Sequence, residues 1–348
     1  MKRKALAILV TLVAAFAGVS SAQDKPRTVT LELASTFPGS MPILGAAAHE
    51  LADRVKRVTG GEVIINFHEP GEVVPGAQSV EAVSTGKIAA AWAGAGWFAS
   101  HDSAFNFFSS VPFGPDIPEY LAWMYEGGGL ELAREMFRAH DIYNIPCGLI
   151  PAEPAGWFRK EITTPADLKG LRMRIFGLGA LVMKKFGVIV EQDPPGEIYA
   201  KLKSGALDAA EFSLPVMDQP LNFHEVAKYY YFPGWHQQST LFDLDINLKV
   251  WNALPERDKT AIELACSDIM IHEVAKGEAM QGRVLAQLQE RGVHLRRFPA
   301  PILVEFENAW NQVVAEESAK NPNFKRVYDS YAAFRKSYAL WKFMGTLQ

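Results

Sequence analysis

The sequence predicts an α/β protein of two domains. The chain has 348 residues, enough for about two domains of ordinary size. Strand-like segments alternate with helical ones, which indicates mostly parallel sheets with helices on both faces. Two further strand-like segments, near 147–153 and 230–245, are expected to cross between the two α/β units. The cleft between two such units is the usual place for a ligand.

The first domain is predicted to begin with a βαβαβ run. Residues 28–35 alternate apolar and polar residues as a strand does, and residues 41–61 have helical spacing that ends at Gly60 and Gly61. The later elements are a strand at 62–72, a helix near 76–86, a short strand at 88–94, a helical stretch at 118–140 broken at Gly127–Gly129, and a strand at 141–153 that leaves the sheet.

The second domain is predicted from the same kind of alternation. Its elements are strands at 156–162, 171–176, 188–192 and 207–213, with helices at 178–187 and 196–205. Residues 229–248 form one long alternating segment that is expected to return the chain to the first domain. A long helix at 255–292, a short strand at 293–299 and two terminal helices complete the chain.

The first 22 residues are predicted to be a signal peptide. Lys2, Arg3 and Lys4 precede the apolar run ALAILVTLVAAFAGV, and the small residues Ser20 and Ala22 suit cleavage. The run is shorter than the roughly 20 apolar residues of a membrane span, which favours export over an anchor. Cleavage removes three positive charges and no acid, so the net charge falls from −4 to −7. This acidic balance argues against nucleic acid as a partner.

The two cysteines, Cys147 and Cys266, leave two interpretations open. An exported protein could join them in a disulfide. Two buried thiols are favoured, because a chain of this size can fold without a covalent cross-link.

The sequence lacks the common catalytic motifs. It contains no dinucleotide fingerprint, phosphate-binding P-loop or G-x-S-x-G elbow. The His-Glu pairs that begin at His49, His224 and His272 do not continue as H-E-x-x-H. These absences lower the odds of an enzyme. The enzymatic alternative is an exported catalyst that uses Glu153 and Glu211 as an acid–base pair.

The segment DLKGLRMRIFG places two arginines on one face of a predicted core strand. Leu171, Met173 and Ile175 form the apolar face, and Arg172 and Arg174 lie on the other. A buried strand rarely tolerates unpaired guanidinium groups. For Arg172 a structural ion pair is favoured. Arg174 stands at the carboxyl end of the strand, where open α/β sheets bind ligands.

The same region carries a family resemblance. The segments GWFRKEI, LKGLRMRIFGLGALVMKKFGV, LKSGALDAAEFS and YYYFPGW, together with GEVVPGAQSVEAVSTGKI and FFSSVPFG, resemble the solute receptors of tripartite ATP-independent periplasmic (TRAP) transporters, the dicarboxylate-receptor family. The likeness is strongest to the branch that binds 2-oxo acids, and it runs from about residue 30 to the C-terminal helix.

This resemblance implies a two-domain periplasmic binding protein of the type II-like α/β fold, with mixed sheets flanked by helices and a long C-terminal helix. The expected organisation is a signal peptide (1–22), a first α/β domain (23–150), a second α/β domain (151–235), a return strand and helix that join the domains (236–300), and C-terminal helices (301–348).

The resemblance also implies a ligand site. In such receptors the arginine that aligns with Arg174 holds the ligand carboxylate through two parallel hydrogen bonds, as a planar guanidinium can. The other residues expected to contact the ligand are Glu153, Trp97, Phe212 and Gln237.

A sodium or calcium ion is expected at the same site. By resemblance its ligands are Glu153, Glu211, the backbone oxygen of Phe212, and Gln237. The family pattern has glutamine where Glu153 stands and glutamate where Gln237 stands, so one carboxylate is gained and one is lost. The alternative is a site without an ion, in which Glu153 binds an amine or hydroxyl of the ligand.

The first domain departs from the family as well. Gly96, Trp97 and Phe98 stand where the branch has Tyr-Tyr-Trp, which predicts a larger and more apolar pocket for an acid with a longer or branched tail. Trp97 is expected to form a wall of this pocket, with a packed core aromatic as the alternative. Trp235 could equally line the cleft or close the hinge.

The predicted function is therefore a periplasmic receptor that captures a monocarboxylic 2-oxo or 2-hydroxy acid and delivers it to a membrane permease. The alternatives are the exported enzyme and a sensory receptor of the same fold. A homodimer through the helix at 324–344 is expected by resemblance, and packing of that helix on its own subunit is the alternative.

Overall fold

The computed structural model describes residues 28–345, so the predicted signal peptide lies outside the described part. The strands are β1 (Val29–Ser35), β2 (Val63–His68), β3 (Ala90–Ala93), β4 (Ile142–Pro151), β5 (Gly156–Phe158), β6 (Arg172–Arg174), β7 (Ile189–Glu191), β8 (Ala209–Ala210), β9 (Tyr229–Phe232), β10 (Ser239–Asn247) and β11 (His294–Arg297). They form two sheets, one with the order β2-β1-β3-β10-β4 and one with the order β11-β9-β5-β8-β6-β7.

Helices cover the sheets. They are α1 (Leu44–Val58), α2 (Ser79–Ser84), α3 (Ile117–Glu126), α4 (Gly129–Arg138), α5 (Gly177–Lys185), α6 (Pro195–Ser204), α7 (Pro215–Asp218), α8 (Phe223–Val226), α9 (Leu248–Asn252), α10 (Glu256–Glu290), α11 (Ala300–Lys320) and α12 (Pro322–Gly345). Between residues 28 and 345, no helix combines the length and the apolar character that a membrane crossing requires.

Both sheets are mixed, as the family resemblance implied. β1 pairs in parallel with β2 and β3, whereas β10 runs antiparallel between β3 and β4. In the second sheet β5 is antiparallel to both of its neighbours, β8 and β9. Among the described residues, five of the nine strand pairs are parallel, and the four antiparallel pairs all involve β5 or β10, the strands that follow the two crossings between the units.

The long alternating segment at 229–248 contains two strands that lie in different sheets. β9 ends at Phe232, and β10 begins at Ser239. Pro233 follows β9 and has no backbone N–H for a ladder hydrogen bond. The residues between β9 and β10 carry the chain from the second sheet to the first.

The two crossing segments touch each other. The chain passes from β4 to β5 near Glu153 and returns near Gln237, and the backbone N–H of Glu153 donates to the carbonyl of Gln237 at 3.1 Å. Both residues therefore sit where the two sheets meet. The residue boundaries expected for the domains stay a prediction.

Strands predicted at 156–162 and 207–213 are shorter than expected. β5 covers only Gly156–Phe158, and β8 only Ala209–Ala210. Immediately after β8, the Glu211 side chain accepts hydrogen bonds from residues of and next to β6. The residue that follows β8 therefore contacts β6 through its side chain and does not extend the strand.

Cys147 and Cys266 form a disulfide, so the favoured interpretation of two free thiols is wrong. Cys147 lies in β4 and Cys266 in α10, the helix that packs along this strand, and their Cα atoms are 4.2 Å apart. The pair is 119 residues apart in sequence, and only the tertiary packing of α10 brings the two cysteines together.

We expect the Cys147→Ala/Cys266→Ala protein to unfold at a lower temperature than the wild type. A cross-link that closes a loop of more than 100 residues contributes about 4–5 kcal/mol in the chain-entropy model, which corresponds to a Tm loss of roughly 10 °C. Differential scanning calorimetry measures the change. Dithiothreitol should lower the Tm of the wild type and leave that of the variant unchanged. Equal Tm values for the two proteins would contradict the disulfide.

Candidate functional site

A cavity lies between the two sheets, and all five residues predicted to contact the ligand line it. They are Trp97, Glu153, Arg174, Phe212 and Gln237. The cavity has a volume of about 30 Å³, well below the roughly 300–1,000 Å³ of sites for drug-sized ligands. The structure therefore gathers residues distant in sequence around a small enclosed space.

Larger depressions lie elsewhere on the surface. One of about 700 Å³ runs along α1 and is lined by charged side chains, among them Glu50 and Arg54. Arg54 forms a salt bridge with Glu50 there. The cavity between the sheets differs in that the charged side chains that line it, Glu153 and Arg174, are buried.

Arg174 ends β6 and is only 2% exposed. Its Nε donates to the carbonyl of Asp193 at 3.2 Å, and its Nη1 donates to the carbonyl and to Oε2 of Glu211 at 2.5 and 3.0 Å. The guanidinium carbon lies 5.4 Å from the centre of the Phe212 ring. Two of its nitrogens thus hold the side chain in place, and Nη2 makes no hydrogen bond with the described residues.

Arg174 forms an ion pair with Glu211, a residue that the sequence analysis assigned to the metal site. Both side chains are nearly inaccessible to solvent. The pair forms because Glu211 follows β8, which neighbours β6 in the sheet, and the backbone N–H of Glu211 donates to the carbonyl of Arg174 at 2.9 Å. Whether Arg174 also binds a ligand stays a prediction.

Arg172 lies two residues earlier on the same face and has a separate partner. Its Nε and Nη2 donate to the two carboxylate oxygens of Asp208, each at 3.1 Å. The predicted structural ion pair is confirmed. The two arginines of this strand thus differ in burial and in role.

Glu153, Glu211 and His236 form a buried cluster. One potential ligand atom from each lies within 4.8 Å of the others, and all three residues are buried. Within residues 28–345, no hydrogen-bond partner is present for Oε2 of Glu153, Oε1 of Glu211, either ring nitrogen of His236, or Oε1 of the adjacent Gln237. Buried polar atoms are normally satisfied, and oxygens of this kind are ligands for a cation. The residues therefore fit a bound metal ion.

The electrostatics of the cluster agree with this. Burial raises the pKa of Glu153 well above its ordinary value, and the charges of Glu211 and Asp218 raise it further. Burial would also raise the pKa of Glu211, but the charge of Arg174 and the nearby His236 hold it below its ordinary value. Glu153 is thus the carboxyl group that lacks a compensating positive charge.

Asp218 supports the cluster from α7, although the sequence prediction did not include it. Its carboxylate accepts hydrogen bonds from Trp157 Nε1 at 2.8 Å, from the Tyr230 hydroxyl at 2.8 Å and from the Ser213 backbone N–H at 3.1 Å. The Ser213 hydroxyl in turn donates to Oε1 of Glu153 at 3.3 Å. Burial raises the pKa of Asp218 to about 7. This chain of contacts fixes the position of Glu153.

The sequence analysis also did not identify His236, because only the folded chain brings it next to Glu153 and Glu211. It precedes Gln237 in the sequence WHQQ and belongs to no histidine motif.

Trp235, the neighbour of His236, packs against Phe306 with ring centres 4.7 Å apart and does not line the cavity. Of the two positions left open for Trp235, the structure shows the one outside the cleft.

The space at Gly96 is filled, so the prediction of an enlarged pocket is wrong. A Cβ atom on Gly96 would lie 2.7 Å from two ring carbons of Phe176. Phe176 follows β6 in the second sheet, whereas Gly96 and Trp97 follow β3 in the first. The rings of Trp97 and Phe176 are 5.0 Å apart. The resemblance indicates that Gly96 stands in place of a tyrosine, but it does not reveal that the Phe176 ring occupies this space from the other side of the cleft.

Most of this chain matches a family of known proteins. The model of the bacterial extracellular solute-binding proteins, family 7, matches residues 33–321. A monocarboxylate 2-oxoacid-binding periplasmic protein of Nostoc sp. is 34% identical over 322 residues, which cover 92% of this chain and 88% of the relative.

Two solved structures are similar over most of their length. A TRAP transporter solute-binding protein from Bordetella bronchiseptica, a mixed-occupancy dimer with copurified calcium and picolinate in one active site, has a TM-score of 0.88 and 36% identity, and the match covers 90% of this chain and 94% of that one. A TRAP periplasmic solute-binding protein from Pseudoalteromonas atlantica with bound sodium and pyruvate has a TM-score of 0.87 and 28% identity, with 92% and 100% covered.

Proposed function

The chain belongs to bacterial extracellular solute-binding protein family 7, and from this membership we propose that it captures a monocarboxylic 2-oxo or 2-hydroxy acid together with a metal ion. The family, the α/β fold with mixed sheets and the role of an extracytoplasmic solute receptor are confirmed. The identity of the ligand, the residues that hold it and delivery to a membrane permease are parts of the proposal.

One observation carries the proposal. A buried guanidinium group and several unsatisfied oxygens meet at a cavity between two sheets. Such oxygens attract a cation, whereas Arg174 attracts an anion. A 2-oxo acid can contact both Arg174 and the cation through neighbouring oxygens. Its carboxylate can accept from Arg174, and its keto oxygen can bind the cation.

The individual roles follow from position. Arg174 Nη2 would donate to the ligand carboxylate while Nε and Nη1 keep the guanidinium plane fixed. Glu153, Glu211, Gln237 and the backbone oxygen of Phe212 would hold the ion, which supplies a positive charge for the second ligand oxygen. Trp97 forms an apolar wall of the cavity. Closing the sheets over such a ligand strengthens each polar contact by excluding water.

A thermal-shift screen tests the proposed function. The mature protein is heated with monocarboxylic, dicarboxylic and 2-oxo acids, each with and without added calcium or sodium. A ligand at 100 times its Kd stabilises by about 2.7 kcal/mol, so we expect the largest rise in Tm with a 2-oxo or 2-hydroxy acid in the presence of an ion. Shifts only with sugars or amines would contradict the proposal.

The size of the cavity favours an acid with a short tail, and not the longer tail that the sequence suggested. We expect Phe176→Ala to raise the affinity for a six-carbon 2-oxo acid, relative to a three-carbon one, by about 10-fold or more. The reason is that each buried methylene contributes about 0.8 kcal/mol, or roughly fourfold in affinity. Isothermal titration calorimetry measures the ratio. Phe67→Ala, which removes the same ring from β2 outside the cavity, is the control. An unchanged ratio in Phe176→Ala would show that this ring does not limit ligand size.

We also propose that the protein is not an enzyme. The family to which it belongs consists of solute-binding proteins. Oε2 of Glu211 accepts from Arg174 and from the Phe176 backbone N–H, and the remaining Oε1 is the oxygen that this proposal assigns to the ion. Incubation with candidate acids followed by mass spectrometry should return each acid unchanged, and a product would overturn this part.

The end of α12 is proposed to pack against a second copy of the chain. Leu340, Trp341, Phe343 and Met344 are 66–72% exposed there, and the Bordetella relative crystallised as a dimer. We expect the wild type to have twice the monomer mass in size-exclusion chromatography with light scattering, and Trp341→Glu/Phe343→Glu to be monomeric. Lys336→Glu, an exposed change on the same helix, should remain dimeric. A monomeric wild type would contradict the proposed dimer.

A further inference from the structure

Two hydroxyl groups on the first-sheet wall of the cavity are buried without a hydrogen-bond partner. Ser109 and Thr240 both line the cavity and are 1% and 2% exposed. Within residues 28–345, neither Oγ of Ser109 nor Oγ1 of Thr240 makes a hydrogen bond. Buried hydroxyl groups are normally satisfied, and leaving one unpaired is destabilising. Both groups are therefore available to a polar atom of a bound ligand.

The fold places these two hydroxyl groups on neighbouring backbone segments. Thr240 lies in β10, and Ser109 follows a short helical turn over Ser103–Phe108. The backbone N–H of Leu241, the residue after Thr240, donates to the carbonyl of Ser109 at 3.0 Å. This hydrogen bond joins the two segments, so one ligand group can reach both side chains.

Gly94 leaves space beside the Ser109 hydroxyl. It follows β3 in the first sheet and also lines the cavity. A Cβ atom on Gly94 would lie 3.1 Å from Oγ of Ser109 and 3.5 Å from a ring carbon of Phe242. Any side chain at position 94 would therefore occupy the space next to this hydroxyl. The first-sheet wall thus combines two unpaired hydroxyl groups with room beside one of them.

The two walls of the cavity differ in charge. Arg174, in the second sheet, is the only positively charged residue among the described residues that line the cavity. A ligand carboxylate bound to Arg174 therefore leaves no cationic side chain for a second carboxylate on the first-sheet wall. A ligand hydroxyl group is neutral, and it can donate to one of the two side-chain oxygens and accept from the other. The cavity volume of about 30 Å³ restricts this group to a short tail.

We propose that the ligand is a short monocarboxylic 2-oxo acid with a hydroxyl group on its tail, and that Ser109 and Thr240 bind this hydroxyl group. This inference rests on the proposed function, because it identifies the chemical class of the acid bound at the same site. Ser109 and Thr240 select the tail, whereas Arg174 and the calcium or sodium ion hold the carboxylate and the keto oxygen. A site that binds a ligand hydroxyl group discriminates against the analogue without it, because the polar groups of the protein then stay unpaired.

Calorimetry with two acids that differ by one oxygen atom tests the inference. Hydroxypyruvate and pyruvate are titrated into the mature wild type at one fixed calcium concentration. We expect hydroxypyruvate to bind about 10-fold or more tightly, since it pairs two hydroxyl groups that pyruvate leaves unpaired. Thr240→Val and Ser109→Ala each remove one of these groups, and the affinity ratio of the two acids should fall to within about threefold of one.

Ser239→Ala is the matched control, because it removes a buried hydroxyl group from the residue next to Thr240. The Ser239 hydroxyl donates to the carbonyl of Pro115 at 3.0 Å, and Ser239 does not line the cavity. The affinity ratio of this variant should equal that of the wild type. A wild-type ratio that persisted in both Thr240→Val and Ser109→Ala would overturn the assignment of these two residues.

The wild-type titrations need no variant and separate this inference from the proposed function. If hydroxypyruvate and pyruvate bind with equal affinity, the selection of a tail hydroxyl group is wrong and the receptor function stands. If no 2-oxo or 2-hydroxy acid binds at any calcium or sodium concentration, the proposed function is wrong, and this inference fails with it.

Discussion

The Arg174→Lys protein is expected to bind its 2-oxo acid about 100-fold or more weakly than the wild type. A lysine keeps the charge but has a single donor group, so it cannot contact Asp193, both acceptors of Glu211 and a ligand at once. A 100-fold loss corresponds to about 2.8 kcal/mol, which lies in the range for a charged hydrogen bond removed from a buried site. Isothermal titration calorimetry at a fixed ion concentration measures it.

Arg172→Lys is the matched control, because it makes the same change two residues earlier on the same face of β6. Its partner Asp208 lies away from the cavity, and we expect less than a threefold change in affinity. Circular dichroism and the Tm of both variants establish that they fold. Equal affinities for Arg174→Lys and the wild type would show that Arg174 serves only its ion pair with Glu211.

The second large effect is expected from Glu153, which stands where the family resemblance implies a glutamine. Glu153→Gln removes one of the two negative charges that would hold the ion, and we expect the ion affinity to fall about 100-fold. The double variant Glu153→Gln/Gln237→Glu moves the charge to position 237, where the resemblance implies a glutamate, and its ion affinity should recover to within about 10-fold of the wild type. This non-additivity is the signature of two side chains that share one partner.

The ion dependence of acid binding measures the result, with calorimetry at a series of ion concentrations. Glu273→Gln is the control, since it neutralises another buried carboxyl group outside the cavity. If the double variant were as weak as Glu153→Gln, the two side chains would not contact the same ion.

Much of the fold could be predicted because its signals are local. The alternation at β6 follows from a strand with one apolar face, and the position of Arg174 at its carboxyl end follows from the next residues. Helix α1 ends shortly before Gly60 and Gly61. Helix α10 begins directly after Pro255 and ends shortly before Gly292, as the preferences of proline and glycine for helix ends predict. The ion pair of Arg172 was also expected, since a half-buried arginine in a strand needs a partner.

The contacts that escaped prediction join parts of the chain that only the tertiary fold brings together. Glu211 meets Arg174 because β8 lies beside β6 in the sheet, and Cys266 meets Cys147 because α10 packs along β4. Phe176 fills the space at Gly96 from the opposite sheet. A substitution pattern records the loss of a side chain at one position, but not which distant residue takes its place.

A crystal structure of the protein grown with a 2-oxo acid and a divalent metal ion tests the central claim most directly. The account predicts the acid in the cavity between the sheets, its carboxylate within hydrogen-bond distance of Arg174 Nη2 and the ion bound by Glu153 and Glu211. A ligand bound elsewhere, with Arg174 engaged only by Asp193 and Glu211, would contradict it.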